Sequence, residues 1–454
     1  MKRIYINELK NHIDKEVKIA GWVDSARDHG KLTFLDIRDR TGVIQSVVTP
    51  KEEKAHNDAQ KLHAEWVVEV TGTVKKRPEN MVNDKLPTGD IELGIEDIVI
   101  LSPSAELPFD KNGDINLDTY FDYLPLTLRT QKGRDIFTVQ ATILEAYRKA
   151  LIDAEFIEFQ SPALVGEDAE GGAAAFKVAY YNEKTAFLAT SPQLYKEIMT
   201  GVFEKVFTIA KIFRGEKHAT TRHLSEITQM DFELAFIKDH TDVMSVLEHV
   251  IRKTVERVIE KHLDVFTRFG IETPILPKEE FPSLKLTEAQ EILKKEFSID
   301  AIGEPDLEPE HERKIGEWAC KEHGSDFVFI THFPTAKRAF YTYPDPDNPT
   351  YSRSFDLLFR GLEINSGSQR YHNYEHLIKT LKERGLDPEK FSFYLQMHKY
   401  GIPPHGGCST GLERFTARML ELPNVKLATP FPRDMHRIDT RLSDNDRIDT
   451  RLSE

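Results

Sequence analysis

The sequence predicts an α+β chain: a small five-stranded β-barrel comes first, then a mainly antiparallel sheet flanked by helices. Three observations carry that prediction. The chain has 454 residues, too many for one ordinary core, so two or three domains are expected. Its first part alternates β-branched and aromatic stretches with turn residues, whereas from Arg129 apolar residues recur at helical spacing. Hydrophobic residues make up 39% and charged residues 30%, values of a packed chain rather than a disordered one.

The same composition sets limits on function. No apolar run approaches the roughly 18 residues that a membrane span needs, so no membrane partner is expected. The start, "MKRIYINELKNHIDKE", lacks the apolar core of a secretory signal. Cys320 and Cys408 are the only cysteines, which fits a reducing, cytoplasmic location. A net charge of −14 argues against indiscriminate binding of nucleic acid and leaves local basic patches free to hold a polyanion.

Taken in order, "EVKIAGWVDS", "KLTFLDIRD", "GVIQSVVTP", "EWVVEVTGTV" and "DIELGIEDIVIL" read as strands parted by Gly, Asp, Asn and Pro. Five strands within residues 1–102 suit a small closed barrel, with the oligonucleotide-binding (OB) barrel the leading candidate. Residues 103–128 carry three prolines and no sustained period, and read as a linker. "RDIFTVQATILEAYRKALIDAEF" is helical and "IEFQSPAL" extended. "HTDVMSVLEHVIRKTVERVIEKH" sets Met244, Leu247, Val250, Ile251, Val255, Val258 and Ile259 on one helical stripe. Strands between and after these helices make residues 129–443 one α+β domain. Within it, 283–323 reads as a polar helical insertion, with Thr287 and Gln290 as a capping box. "RIDTRLS" occurs at 437–443 and again at 447–453; residues 444–454 are read as a tail without function, expected to be poorly ordered.

Three stretches carry charge in arrangements suited to chemistry. In "KIFRGEKHATTRHLSEITQMDFELAF", 211–236, the strand after the loop turns Gln229, Asp231 and Glu233 to one face and Thr228, Met230 and Phe232 to the other. Arg214 and Glu216 end the preceding strand, and Lys217, His218, Arg222 and His223 follow. Arginine binds phosphate bidentately, so this loop beside an acidic strand could hold a triphosphate next to an ammonium group. A solvated charged hairpin is the plainer alternative. In "SFDLLFRGLEINSGSQR", 354–370, a turn at "FRG" would make Asp356 and Glu363 cross-strand partners about 5 Å apart. Two carboxylates so close suit a bridging Mg²⁺; two exposed acids on a hairpin fit the spacing as well. In "PPHGGCSTGLERFTARML", 403–420, glycines 406, 407 and 411 permit close backbone approach before a helix with Arg414 in its first turn. His398, His405 and Cys408 match no usual zinc spacing.

Together these stretches resemble the signature motifs of class II aminoacyl-tRNA synthetases, and the resemblance covers essentially the whole chain. "FIEFQSP", ending at Pro162, looks like motif 1, which builds the homodimer interface in that family. "FRGEKHATTRH" followed by Asp231 looks like motif 2, and "GLERF" like motif 3. The class I HIGH and KMSKS signatures and a Walker loop are missing from the sequence. A barrel ahead of the catalytic domain is similar to subclass IIb, which handles aspartate, asparagine and lysine. The lack of a large insertion between motifs 2 and 3 resembles the archaeal and eukaryotic type. Lys196 in "SPQLYKE" and Arg370 in "LEINSGSQR" resemble the aspartyl pattern, where both read the substrate carboxylate. An asparaginyl enzyme is the nearer alternative and a non-catalytic tRNA-binding paralogue the distant one.

The resemblance implies ATP as substrate, Mg²⁺ as cofactor, and L-aspartate, tRNA(Asp) and, as an open alternative, tRNA(Asn) as partners. It implies Arg214, Glu216 and Arg414 as catalytic residues, with Arg222, His223, Leu224, Glu363 and Gly411 completing the ATP site. Glu170, Gln193, Lys196, Asp231, Ser366 and Arg370 would bind aspartate, and Asp356, Glu363 and Ser366 the metal. In the barrel, Arg27, Phe34 and Gln45 match anticodon-reading positions, and Lys75, Lys76 and Arg77 are candidates for phosphate contacts. Ile227 departs from the phenylalanine that many members place against adenine.

Overall fold

A computed structural model describes residues 1–84, 86–111, 113–166, 175–216 and 220–442. Glu170, Lys217, His218 and the second "RIDTRLS" copy lie outside the described residues. The chain divides into two compact units at Ile115/Asn116, within the stretch expected to link them.

In the first unit, strands β1 (Glu16–Asp28), β2 (Thr33–Arg38), β3 (Val43–Val48), β4 (Val67–Lys76) and β5 (Ile91–Ser102) close a barrel in the order β1-β2-β3-β5-β4. Helix α1 (Glu53–Ala59) lies between β3 and β4 in sequence. Alternation decides which side chains fill the barrel: Ile19, Val23, Leu35, Ile37, Ile44, Val68, Val70 and Leu93 are all fully buried.

The second unit begins with short helices α2 (Leu117–Asp122) and α3 (Leu124–Thr127), then the long α4 (Gln131–Asp153) and strand β6 (Ile157–Glu158). A small sheet of β7 (Leu164–Val165), β8 (Lys177–Tyr180) and β9 (Lys184–Leu188) follows, then α5 (Gln193–Phe203), β10 (Lys205–Phe213), β11 (Glu226–Ala235) and α6 (His240–Phe269). Next come β12 (Ser283–Lys285), α7 (Leu286–Phe297), α8 (Pro309–His323), β13 (Phe327–Thr331), β14 (Ser354–Phe359) and β15 (Leu362–Gln369). Helices α9 (Tyr374–Glu383) and α10 (Ser392–Tyr400), strand β16 (His405–Gly411) and helix α11 (Leu412–Met419) complete the unit. The main sheet runs β12-β13-β14-β15-β16-β11-β10-β6, antiparallel except for its two outermost pairs.

Local chemistry explains the main elements. The Thr130 side chain caps α4 by accepting the Gly133 N–H, and Asp239 caps α6 through Thr241. Gly270 ends α6 in the left-handed region, at φ 65°. The expected stripe of α6 is buried, Ile259 only partly, and the helix kinks at His262, whose ring meets the Thr142 hydroxyl of α4 at 2.7 Å. Two expectations fail: the C-terminal half of the stretch read as a linker forms α2 and α3 of the second unit, and the expected capping box is not made. Helix α7 begins at Leu286, and the Glu288 carboxylate accepts the Lys285 N–H at 2.7 Å, so Thr287 and Gln290 form no capping box. Gln290 is buried instead and ties down the following loop through Gly303 and Glu304. The first "RIDTRLS" copy is anchored to α2: Arg437 pairs with Asp122, and Arg441 lies 3.1 Å from Asp118.

His240 opens α6 buried, with its ring edge-on to His332 at 5.2 Å. Burial, then the neighbouring His332, pushes its pKa down to about 4. The unfolded chain therefore takes up this proton near pH 6.5, before the folded chain does. Stability is complete above that pH and falls as pH drops toward 4, by up to about 3 kcal/mol for this group. Chemical unfolding at pH 7 and 4.5 is expected to show the loss in the natural chain and a smaller one in His240→Asn.

Candidate active site

The site lies on the central strands β14, β15, β16 and β11. Gln229, Asp231 and Glu233 occupy one face of β11, as the alternation in the sequence requires. Glu233 lies against Gly407 of β16, where an added Cβ would sit 2.1 Å from its carboxylate oxygen. Only glycine leaves room for that acid. Glu233 takes the Arg370 guanidinium on both oxygens, at 2.9 and 3.3 Å, and the Lys196 ammonium lies 3.3 Å away. Lys196 also donates to Asp231 at 2.9 Å and to the Cys408 carbonyl at 3.1 Å. Lys196, Asp231 and Glu233 are wholly buried and Arg370 nearly so, which two cations and two carboxylates permit because their charges cancel.

Arg370 borders a cavity of about 550 Å³, together with Gln193, Ser366, Ser368 and a loop from Ala336 to Thr342. Among the described residues five cations line it, Arg214, Lys337, Arg338, Arg370 and Arg384, against one carboxylate, Glu363. Lys196 and Asp231 sit one layer behind this wall. Oδ1 of Asp231, Oε1 of Gln229 and Oγ of Ser409 are buried without a partner among the described residues, acceptors suited to an ammonium donor.

A second cavity of about 440 Å³ is bordered by Arg214, Glu216, Arg222, His223, Leu224, Glu363, Gly411 and Arg414, the eight residues the resemblance implied for ATP. Ile227 is in its wall as well. Arg414, in the first turn of α11, lies 3.3 Å from the Glu363 carboxylate. That helix is held to β11 by Glu413, which accepts the Thr228 N–H at 3.0 Å. The two cavities share Arg214, Gln229, Glu363, Ser366 and Ser409.

Asp356 and Glu363 are not direct cross-strand partners. The chain does turn at Arg360 and Gly361, both in the left-handed region at φ 47° and 68°. In register, however, Asp356 faces Ser366 and Glu363 faces Leu358, with a bulge at Ile364. That extra residue shifts Glu363 by one position, onto the face that Asp356 occupies. Asp356 is buried: Arg338 holds its Oδ2 at 2.7 Å and also reaches Ser366 at 3.2 Å, while Oδ1 has no partner among the described residues. Burial pushes this carboxyl up to about 6, with Arg338 opposing and Glu363 adding to the rise. An unpartnered, desolvated carboxylate oxygen beside Ser366 is a fitting donor set for a hard cation.

Several participants carry no local signal in the sequence. Glu312 of α8 pairs with Arg222 at 2.9 Å, and burial lifts its carboxyl to about 7. It comes from the insertion read as merely polar. Arg338 stacks on Phe333 at 3.8 Å and belongs to a loop without periodicity. Glu233 shared a face with Asp231, and only its partners reveal its part in the cluster.

On the barrel, Arg27 pairs in register with Phe34, and Gln45 with Asp36, so Arg27, Phe34 and Gln45 share the outer face. Phe34 is half-buried against His29, edge-on at 5.6 Å, and Arg27 lies 3.0 Å from Asp36. Lys75 and Lys76 are exposed; Arg77 is buried beside Glu92, so it does not join them as a surface cation.

Comparison with known proteins fits this geometry. Residues 116–435 match the family described as tRNA synthetases class II (D, K and N), and residues 17–101 match the OB-fold nucleic acid binding domain. The chain is 41% identical to the aspartate–tRNA(Asp/Asn) ligase of Thermus thermophilus over 445 residues, 96% of this chain and 99% of that one. It is 38% identical to the aspartate–tRNA(Asp) ligase of Pyrococcus furiosus, covering 96% and 98%. Among solved structures, the asparaginyl-tRNA synthetase of Pyrococcus horikoshii complexed with asparaginyl-adenylate superposes with a TM-score of 0.89 at 32% identity, covering 96% and 99%.

Proposed function

The chain belongs to the class II tRNA synthetases (D, K and N), and from that premise we propose that it is an aspartate–tRNA ligase. It activates L-aspartate with ATP and passes the aspartyl group to the 3′ end of tRNA(Asp). The observation that carries this reading is the wall shared by the two cavities. An amino acid in the first and ATP in the second would meet at Arg214, Ser366 and Ser409.

The α-carboxylate of aspartate attacks the α-phosphorus in line, forming aspartyl-adenylate and releasing diphosphate; a ribose hydroxyl of tRNA then takes the aspartyl group and AMP leaves. Neither step needs a protein nucleophile. Positioning and charge do the work. Arg214 at the junction lies where charge builds on the α-phosphoryl oxygens. Asp356, Glu363 and Ser366 would hold Mg²⁺, which when bound neutralises phosphate charge. The cationic lining of the first cavity favours an acidic substrate over a neutral one. The likeness to the Pyrococcus horikoshii structure supports an asparaginyl enzyme as the second reading.

The proposal extends to the whole molecule. The barrel, residues 1–102, binds the anticodon, with Phe34 stacking on a base. Two copies pair through the edge strand β6, whose Ile157 is exposed, and the enzyme works in the cytoplasm. ATP–diphosphate exchange is expected with aspartate and not with asparagine; exchange driven by asparagine alone overturns the assignment. Charging of purified tRNA(Asp) and tRNA(Asn) with labelled aspartate then shows the range of acceptors.

A further inference from the structure

Behind the amino-acid cavity, Glu197 of α5 is a wholly buried carboxylate that the reaction does not use. It sits one helical turn from Gln193, which borders the cavity, and accepts the Gln193 Nε2–H on its Oε1 at 2.7 Å. Its Oε2 accepts the Tyr394 hydroxyl at 2.7 Å, and the His405 Nε2 lies 3.1 Å from the same oxygen. His405 is fixed in turn by the Pro403 carbonyl, 3.0 Å from its Nδ1. Burial alone would push the Glu197 carboxyl up; the His405 bond and charge, with Arg370 nearby, reverse that and hold it near 2. The group therefore stays an acceptor on both oxygens throughout the physiological range.

An amide side chain has one donating and one accepting end. Because Glu197 can only accept, the nitrogen of Gln193 must face it, and the oxygen is left for the cavity side. We infer that Glu197 is a positioning residue: it fixes the Gln193 amide so that an acceptor, not a donor, meets the α-ammonium of the amino-acid substrate. The inference rests on the reading of the cavity as an amino-acid site.

Exchange of the two functional groups tests it. In Glu197→Gln, the Tyr394 hydroxyl and a His405 that keeps both ring N–H groups, one on Pro403 and one on position 197, take the oxygen of the new amide, which turns its nitrogen toward Gln193. Gln193 must then flip and present its own nitrogen to the substrate ammonium. KM for aspartate in ATP–diphosphate exchange is expected to rise roughly tenfold to a hundredfold, as for loss of a hydrogen bond to a charged group, with KM for ATP within about threefold. The double variant Gln193→Glu/Glu197→Gln restores donor and acceptor at every contact and returns an acceptor to the cavity; KM for aspartate should fall back to within severalfold of the natural value. Thermal unfolding of each variant accompanies the kinetics, since a buried loss without a pocket role lowers Tm and spares the KM ratio. Equal rises in both KM values, or a double variant as impaired as the single one, overturn the inference. A natural chain that activates no amino acid overturns the functional reading instead.

Discussion

Lys196→Leu is expected to raise the aspartate concentration needed for half-maximal exchange about a hundredfold or more, while the ATP requirement changes little. The lysine does not touch the cavity directly; it balances Asp231 and Glu233, each buried and each in reach of its ammonium. Removing it leaves Asp231 without a cation and Glu233 with Arg370 alone, directly behind the wall that an acidic substrate must approach. The same loss destabilises the fold by about 3–5 kcal/mol, the cost of an uncompensated buried charge. Stability and recognition can be separated. Adding Asp231→Asn to Lys196→Leu removes the stranded charge and should recover most of the lost Tm. It supplies no cation, however, so aspartate binding should stay weak. Recovery of aspartate binding along with stability would show that Lys196 is only a structural counter-ion.

Much of this site is written in short-range pattern. Alternation along β11 puts Gln229, Asp231 and Glu233 on one face, and the Arg–Gly turn before β15 is set by glycine chemistry. The two strands, one loop and one helix end that carry the eight ATP-cavity residues are each legible as strand, turn or helix start, and the sheet topology then brings them together. What stays hidden depends on register or distance. Ile364 looks like any apolar strand residue, yet as a bulge it decides which face Glu363 takes. Arg77 follows two exposed lysines and is buried just past the end of β4, where no alternation applies. Glu197, Tyr394 and His405 come from α5, α10 and β16, and no local period connects elements so far apart in sequence. Glu312 reads as one more acid on a polar helix until the fold lays it beside Arg222. Buried pairing is what separates these acids from solvated ones, and pairing between distant elements leaves no trace in a window of ten residues.

The chain's other large effect belongs to Arg214. Arg214→Ala is expected to slow adenylate formation by roughly 10²–10³-fold, the usual cost of removing one preorganised donor from a developing oxyanion. The position of the residue sets how that loss divides between rate and binding. It follows β10, with its backbone N–H on the Ser225 carbonyl at 2.9 Å, and its side chain borders both cavities at their common wall. In the proposed arrangement an amino acid held by Gln193 and Arg370 would touch it at one end only, so KM for aspartate should move by less than about threefold. Lysine is no substitute, because its point charge lacks the planar fork that meets two phosphoryl oxygens at once. Arg214→Lys is therefore expected to recover less than a tenth of the lost rate in single-turnover measurements. A variant with normal single-turnover rate and a weakened aspartate KM would instead place this guanidinium on the amino acid's carboxylate. The charge stabilisation assigned to Arg214 would then have to come from Arg414 across the nucleotide cavity.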